Sequence, residues 1–139
     1  MNNNQKRRDE IIDKNFLTDD YRGGIRRFDN INAKQLGVLI KEDFADKKEK
    51  QNLSPSIGRL YNLAKKFKKI SKCYFSGYTV DKSRPDYRTS IDEITIIYDK
   101  TDNATIDLLL AIADISKDAD KVNFNENNPR QVICNLWWD

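Results

Sequence analysis

With 139 residues, 38% hydrophobic and 34% charged, and a formal net charge of +3, the chain is long enough for one globular domain with a hydrophobic core. Its longest apolar run, residues 108–113, is far shorter than the roughly 20 residues of a membrane-spanning helix, and no apolar stretch follows the charged N-terminus as in a secretory signal. The chain contains no histidine, which excludes Ser-His and Cys-His catalytic arrangements and histidine-ligated metal sites within it.

The N-terminal segment is polar and charged. Residues 1–8 are predicted to form a disordered basic arm in front of a single α+β domain over residues 9–139. Residues 9–17 are predicted to form one or two helical turns, and the adjacent Gly23 and Gly24 then break regular structure.

Two amphipathic helices are predicted next. The first covers residues 33–46, with Asn32 as its N-cap and apolar residues recurring at helical spacing. The second covers residues 55–71, with Ser54 as N-cap and Pro55 at the first helical position. Its apolar side chains share one arc of the helix and most of its basic side chains share the opposite arc.

The hydrophobic period then changes from helix to strand. Residues 72–80 are aromatic and β-branched, and residues 92–100 place Ile94, Ile96 and Tyr98 on one face of a strand. Both segments are therefore predicted to be strands.

The C-terminal part contains one more helix and two strands. Residues 105–116 are apolar nearly all round, which predicts a buried helix. Residues 121–126 alternate like a short edge strand, and residues 131–138 form the last strand. The order α-α-β-β-α-β-β predicts an α+β fold with about four mostly antiparallel strands and helices on one face of the sheet.

Cys73 and Cys134 are far apart in sequence and belong to no CxxC motif. This spacing favours buried free thiols in a reducing compartment, and we therefore expect a cytoplasmic protein. A disulfide stays an alternative if the two strands that carry these cysteines are neighbours.

Charge is distributed unevenly along the chain. Residues 1–90 contain 21 basic and 12 acidic residues, whereas residues 91–139 contain 4 and 10, so the molecule is dipolar. No acidic residue occurs between Gln51 and Val80. The polar arc of the second helix therefore lacks the ion pairs that an ordinary surface helix forms between residues four apart. This arc is predicted to contact phosphates or an acidic protein surface. The residues assigned to this contact are Arg59, Lys65, Lys66, Lys69 and Lys72.

Lys68 falls within the apolar arc of that helix, so either its side chain snorkels outward from the boundary of the core or the helix loosens there before the strand. The alternative to a binding function for the basic arc is a solvated helix face.

Two further features are candidates for binding. Arg26 and Arg27 lie between aromatic residues and could clamp phosphates, the alternative being a structured turn. Trp137 and Trp138 project to opposite faces of the last strand, so one enters the core and the other is available to a partner. We assign the partner contact to Trp138, with packing against the helices as the alternative.

Carboxylates are the remaining route to catalysis, and the candidates are Asp86, Asp92 and Glu93. Residues 75–97 resemble a degraded nucleotidyltransferase core, in which Gly-Ser follows a strand and two aspartates lie one residue apart on the next strand. Asp92 matches the second aspartate, whereas Ser90 replaces the first. The resemblance implies a metal-dependent phosphotransfer enzyme with half of its metal site missing.

The order of Ser76 and Gly77 is also reversed relative to that family. A restriction-endonuclease-like site would need a PD motif followed by D/E-x-K. Asp86 supplies the first part, but Asp99 is followed directly by Lys100, so the second part fails.

These features favour a non-enzymatic binding protein without a cofactor, a monomer or homodimer that does not bind membranes. Its predicted partner is nucleic acid or a nucleic-acid-binding protein. The 14 asparagines, 16 lysines and 15 isoleucines are typical of an AT-rich genome, which favours a low-GC bacterium or its phages and mobile elements. An inhibitor of a host nucleic-acid enzyme, of anti-defence or anti-CRISPR type, fits this pattern. The alternatives are the degenerate metal-dependent enzyme and a homodimer paired through the C-terminal strand.

Overall fold

The computed structural model of the protein describes residues 1–100, 103 and 105–139. The strands in these residues are β1 (Ile25–Asn32), β2 (Ser71–Val80), β3 (Thr89–Asp99), β4 (Lys121–Asn125) and β5 (Gln131–Trp137). The α-helices are α1 (Gln5–Ile12), α2 (Ala33–Lys41), α3 (Ile57–Lys66) and α4 (Thr105–Ile115), and a short 3-10 helix, Asp13–Asn15, follows α1.

All strands pair antiparallel in one sheet of order β1-β2-β3-β5-β4, which confirms the predicted α+β class. The additional strand is β1, which sequence reasoning missed. Its register shifts between Phe28 and Ile31, and Asn30 has a φ of 55°. This bulge interrupts the alternation of apolar and polar residues, and a strand loses its sequence signature when alternation is lost.

The helices cover one face of the sheet. Ile94, Ile96 and Tyr98 of β3 point into the core as predicted, together with Leu36 of α2 and Leu60 of α3. The same register makes every second residue of β3 and β5 point to the opposite side, where burial is incomplete. The sheet therefore has one covered face and one open face.

Helix α1 corrects the prediction of a disordered arm over residues 1–8. The side chain of Asn4 caps the helix by accepting from the Arg7 backbone N–H, and Arg8 is completely buried. The Arg8 guanidinium donates to the carbonyl oxygen of Val80 at 3.0 Å and to the hydroxyl of Tyr21 at 2.7 Å. A buried arginine is tolerated because these partners replace its lost hydration, and they hold α1 against the end of β2.

The boundaries of α2 and α3 differ from the predicted ones. Asn32 caps α2 as predicted, but α2 ends at Lys41 instead of residue 46, and Asp43 then adopts a positive φ of 62°. Helix α3 is capped by Ser56, because the hydroxyl of Ser54 is buried and accepts from the N–H of Gln51.

Helix α4 is not the buried helix that its composition predicts. It buries Thr105, Leu108, Ile112 and Ile115, whereas Ile106 and its neighbours on the outer side are exposed. The helix lies on the surface of a single sheet, so only one side of it can reach the core. No helix in the described part of the chain has the length and apolar character to cross a membrane.

The two cysteines lie on strands that are not neighbours. Cys73 pairs with Ile96 of β3, and Ile96 pairs with Cys134 on the other side. Two interstrand spacings separate the cysteines by about 10 Å, which exceeds the Cα separation of a disulfide. Both are therefore free thiols in the core, which confirms that part of the prediction.

Neither thiol is expected to react with a thiol reagent at pH 8 in the folded protein. Burial raises the pKa of Cys73 to about 11 and that of Cys134 to about 12, so almost no thiolate is present. Counting thiols with Ellman's reagent should give none in buffer and both after unfolding in guanidinium. Rapid modification of either residue in the native state would contradict the buried placement.

A bulge shapes the centre of the sheet. Ser76 pairs with Glu93 and Gly77 pairs with Ile91, so Asp92 is the extra residue of β3. A Cβ atom on Gly77 would collide with the carbonyl oxygen of Ser90 and lie 2.9 Å from the Cα of Ile91. The close approach of these two backbones therefore requires glycine at position 77.

Candidate nucleic-acid interface

Five exposed lysines lie where α3 ends and β2 begins, and we call them the lysine cluster: Lys65, Lys66, Lys68, Lys69 and Lys72. Phe67 is the C-cap of α3 and its side chain is buried. The carbonyl oxygen of Phe67 accepts from the backbone N–H groups of Ile70 and Ser71. This turn holds the apolar side chains inward while the lysines between them project into solvent. Because the helix ends at Lys66, Lys68 is exposed and belongs to the cluster, which settles the two alternatives for it.

Among the described residues, no carboxylate forms an ion pair with a lysine of the cluster. In the described part of the chain, the one lysine that forms an ion pair is Lys117, which contacts Asp114 at 3.3 Å. The ammonium groups of Lys65 and Lys66 each lie 5.4 Å from a ring centroid, that of Tyr61 and that of Phe67 respectively. Five like charges thus lie within eight residues, and none of them is in an ion pair with another described residue.

The arginines behave differently, because most of them pair with carboxylates inside the fold. Arg59 donates to Asp114 of α4 at 2.8 Å. Arg27 makes two hydrogen bonds to Asp92, at 3.0 and 3.1 Å, and these bonds raise the pKa of Arg27. Such bidentate pairs fix two strands relative to each other.

The side chain of Arg26 is also engaged in contacts within the fold. Its guanidinium stacks on the ring of Phe16 at 3.8 Å and donates to the carbonyl oxygen of Thr18 at 2.7 Å. The segment that carries Arg26 and Arg27 is strand β1, the structured alternative to a flexible clamp. Arg26 and Arg27 are therefore held within the fold, whereas Arg59, paired with Asp114, lines a surface cavity together with Lys66.

The structure reverses the assignment of the two tryptophans. Trp138 is 1% exposed and belongs to the core, so the prediction that Trp138 contacts a partner is wrong. Trp137 is half-buried and lies on the open face, where it pairs with Glu93 and Lys121. The tryptophan available to a ligand is Trp137.

Two surface cavities are lined by both Lys68 and Lys72. One, of about 250 Å³, lies at the end of the sheet, between Lys68, Lys69 and Lys72 on one side and Asp99 and Gln131 on the other. The second, of about 260 Å³, lies on the other side of Lys68 and Lys72. It is also lined by Asn32, Lys34 and Tyr74.

Lys34 thus adds a sixth ammonium group beside the lysine cluster. Sequence reasoning missed it because Lys34 belongs to α2, and it is the pairing of Asn32 with Tyr74 that brings the start of α2 to β2. Predicting the position of Lys34 would have required recognising strand β1, because β1 ends at the N-cap of α2.

Three rows of side chains cross the open face from strand to strand. The central row contains Asn32, Tyr74, Thr95, Asn135 and Asn123. The row nearest the lysine cluster contains Lys72, Ile97, Ile133 and Asn125. The third row contains Glu93, Trp137 and Lys121. The hydrogen bond from the Nδ2 of Asn135 to the Oγ1 of Thr95, at 3.0 Å, confirms that neighbouring strands share this face.

The carboxylates proposed for metal binding do not share a site. Asp86 contacts Arg84 at 2.7 Å and Arg88 at 3.2 Å, and the hydrogen bonds from Arg84 lower the pKa of Asp86. Asp92 is held by Arg27. The described residues contain no group of three or more His, Cys, Asp or Glu side chains that could hold a metal ion.

The segment that resembles a nucleotidyltransferase core also differs from it in structure. Ser76 and Gly77 lie inside β2 instead of in a turn after it. The hydroxyl of Ser76 accepts from the backbone N–H of Asn30, and Ser90 contacts Glu49. Ser76 thus links β2 to β1, and Ser90 links β3 to the loop that contains Glu49.

Comparison of the chain with protein-family models, with characterised proteins and with solved structures finds no match.

Proposed function

We propose that this protein is a non-enzymatic binding protein that docks on nucleic acid through the lysine cluster. The observation that carries this proposal is the contrast between the two kinds of basic residue. Arginines such as Arg27 and Arg59 are paired with carboxylates, whereas the cluster lysines have no carboxylate partner among the described residues. When such ammonium groups contact phosphates they displace the cations condensed on the nucleic acid, and the release of these cations supplies binding free energy.

The sign of the charge also separates two kinds of partner. The nucleic-acid-binding cleft of an enzyme is itself basic, so it would repel the lysine cluster. An inhibitor that used this surface would have to cover an acidic region of its target. The phosphate backbone offers the stronger and more regular complement, and we therefore favour nucleic acid over a protein partner.

Pairing through the C-terminal strand is the least favoured alternative. Strand β5 lies between β3 and β4, so both of its edges are already hydrogen-bonded. A homodimer formed by strand addition would have to use an edge strand of this sheet, such as β4.

The proposed function predicts strongly salt-dependent binding to a single-stranded 20-mer. Lys34 and the lysine cluster supply six ammonium groups. Each phosphate contact on a single strand contributes about −0.7 to the slope of log K against log salt, so the slope should be about −4. Fluorescence anisotropy with a labelled oligonucleotide at several salt concentrations measures this slope. Absence of binding at low salt would contradict the proposal. A protein from nuclease-treated lysate that is retained on the immobilised chain would favour the acidic protein partner instead.

A further inference from the structure

We propose that the open face of the sheet is a stacking platform for the bases of a single-stranded polynucleotide whose phosphates contact the lysine cluster. This inference rests on the proposed function and specifies its ligand. It starts from the side chains that the sheet leaves uncovered. Tyr74 of β2 and Trp137 of β5 are both half-buried and both project from the open face.

The two aromatic residues are spaced for separate contacts. Tyr74 lies opposite Thr95, Thr95 lies opposite Asn135, and Trp137 is two residues further along β5. With strands about 4.8 Å apart and a rise of about 3.4 Å per residue, their Cα atoms are about 12 Å apart. The rings are therefore too far apart to cover each other, and each leaves a surface for a ligand.

The polar side chains between the rings match the edges of bases. Thr95 and Asn135 provide hydroxyl and amide groups that both donate and accept hydrogen bonds, and Asn123 adds another amide beyond Asn135 on β4. A surface for a folded protein partner would be expected to have a continuous apolar centre. Here the apolar residues Ile97 and Ile133 lie in the row beside Lys72, so they border the polar centre.

Charge complementarity connects this platform to the lysine cluster. Lys72 belongs to the cluster and also to the open face, where it lies two residues from Tyr74 along β2. At the far side, Lys121 and Arg27 surround Glu93 beside Trp137, in a cavity of about 290 Å³. Arg27 is already paired with Asp92, so Lys121 is the cation that accompanies Glu93 in this cavity. A strand that crosses from Lys72 to Lys121 meets a lysine at both ends.

The platform selects single strands because only these present their bases for stacking. In a duplex the base faces are covered by neighbouring pairs, so the sheet would meet the phosphate backbone alone. Stacking on an aromatic ring accepts every base, and binding should therefore depend on strandedness more than on sequence.

Trp137 provides the test, because its emission reports directly on stacking. The protein is titrated with oligo(dT) and oligo(U) 15-mers, with a DNA duplex of the same length and with inorganic polyphosphate. We expect both single strands to quench the emission of Trp137, and duplex and polyphosphate to leave it unchanged. The variant Trp137→Leu identifies the contribution of buried Trp138 to the signal.

Substitutions then separate stacking from charge. Trp137→Leu and Tyr74→Leu should each weaken single-strand binding about tenfold or more, and Trp137→Phe should retain most of it. Phe124→Leu is the matched control, because Phe124 is 43% exposed but lies on the opposite face of β4. Circular dichroism verifies that each variant is folded.

The two proposals fail in distinguishable ways. Single-strand binding that stays salt-dependent but leaves Trp137 emission and both leucine variants unaffected overturns the platform and keeps the lysine cluster. A dimer in light scattering that Trp137→Leu dissociates overturns the platform in favour of a second copy of the chain. Absence of any binding to the polyanions overturns both proposals.

Discussion

Replacing Lys68, Lys69 and Lys72 with glutamate is expected to weaken binding to a single-stranded 20-mer by at least about 100-fold at 0.1 M salt. Each lost phosphate contact removes about 0.7 log units of affinity at this salt concentration, and three contacts remove about two. These lysines are selected because they line the same cavity at the end of the sheet. Their side chains are exposed, so the substitutions should leave the fold intact.

The control is a triple reversal of equal charge elsewhere. Lys14, Lys41 and Lys48 are exposed, and they lie after α1, at the end of α2 and in the loop that follows it. Changing them to glutamate alters the net charge by the same amount. We expect a loss of less than about tenfold, because exposed charges farther away than a Debye length of about 10 Å are largely screened. Equal losses in the two triple variants would mean that net charge, and not the lysine cluster, determines binding.

The largest effect on stability is expected for Gly77→Ala. The new methyl group would overlap the carbonyl oxygen of Ser90, and neither backbone can move without breaking the pairing of β2 with β3. Overpacking against a fixed neighbour costs about 3 kcal/mol, which corresponds to a fall in melting temperature of about 10 °C. Thermal unfolding followed by circular dichroism measures this fall in melting temperature.

Gly23→Ala provides the comparison for that variant. Gly23 has a φ of 64°, so alanine is strained there, but no atom lies within 4 Å of the added methyl group. Strain alone should cost about 1 kcal/mol. If Gly77→Ala were no more destabilising than Gly23→Ala, the close approach of β2 and β3 at the bulge would be wrong.

The elements that could be predicted are those with uninterrupted periodicity. The alternation of Ile94, Ile96 and Tyr98 defines β3, and the capping signal of Asn32 defines the start of α2. Strand β1 could not be predicted, because the bulge at Asn30 moves its apolar residues out of phase. The start of helix α3 was also mispredicted, because the hydroxyl of Ser54 caps a local turn by accepting from the Gln51 N–H and leaves Ser56 as the N-cap.

In the candidate site, too, local features could be predicted and remote contacts could not. The lysine cluster was visible because it is local in sequence and has no neighbouring acids. The partners of the arginines are remote: Arg27 and Asp92 are 65 residues apart, and Arg59 and Asp114 are 55 apart. No sequence pattern links such pairs, so the arginines could not be separated from the lysines before the fold was known.

The assignment of the tryptophans was within reach of the sequence. Val132, Cys134 and Leu136 alternate with polar or exposed residues along β5. Trp138 continues this buried series, whereas Trp137 continues the series on the open face. The period of two along a strand therefore predicts Trp138 in the core.

The central claim is that the lysine cluster binds phosphates. The most direct test compares the salt dependence of single-strand affinity in two proteins, the wild type and the variant in which Lys68, Lys69 and Lys72 are replaced with glutamate. The slope of log K against log salt should fall in magnitude from about 4 to about 2 or less, because three phosphate contacts are lost. The affinities of the two proteins should converge at high salt. Parallel lines of equal slope would show that these lysines do not contact phosphates and would contradict the claim.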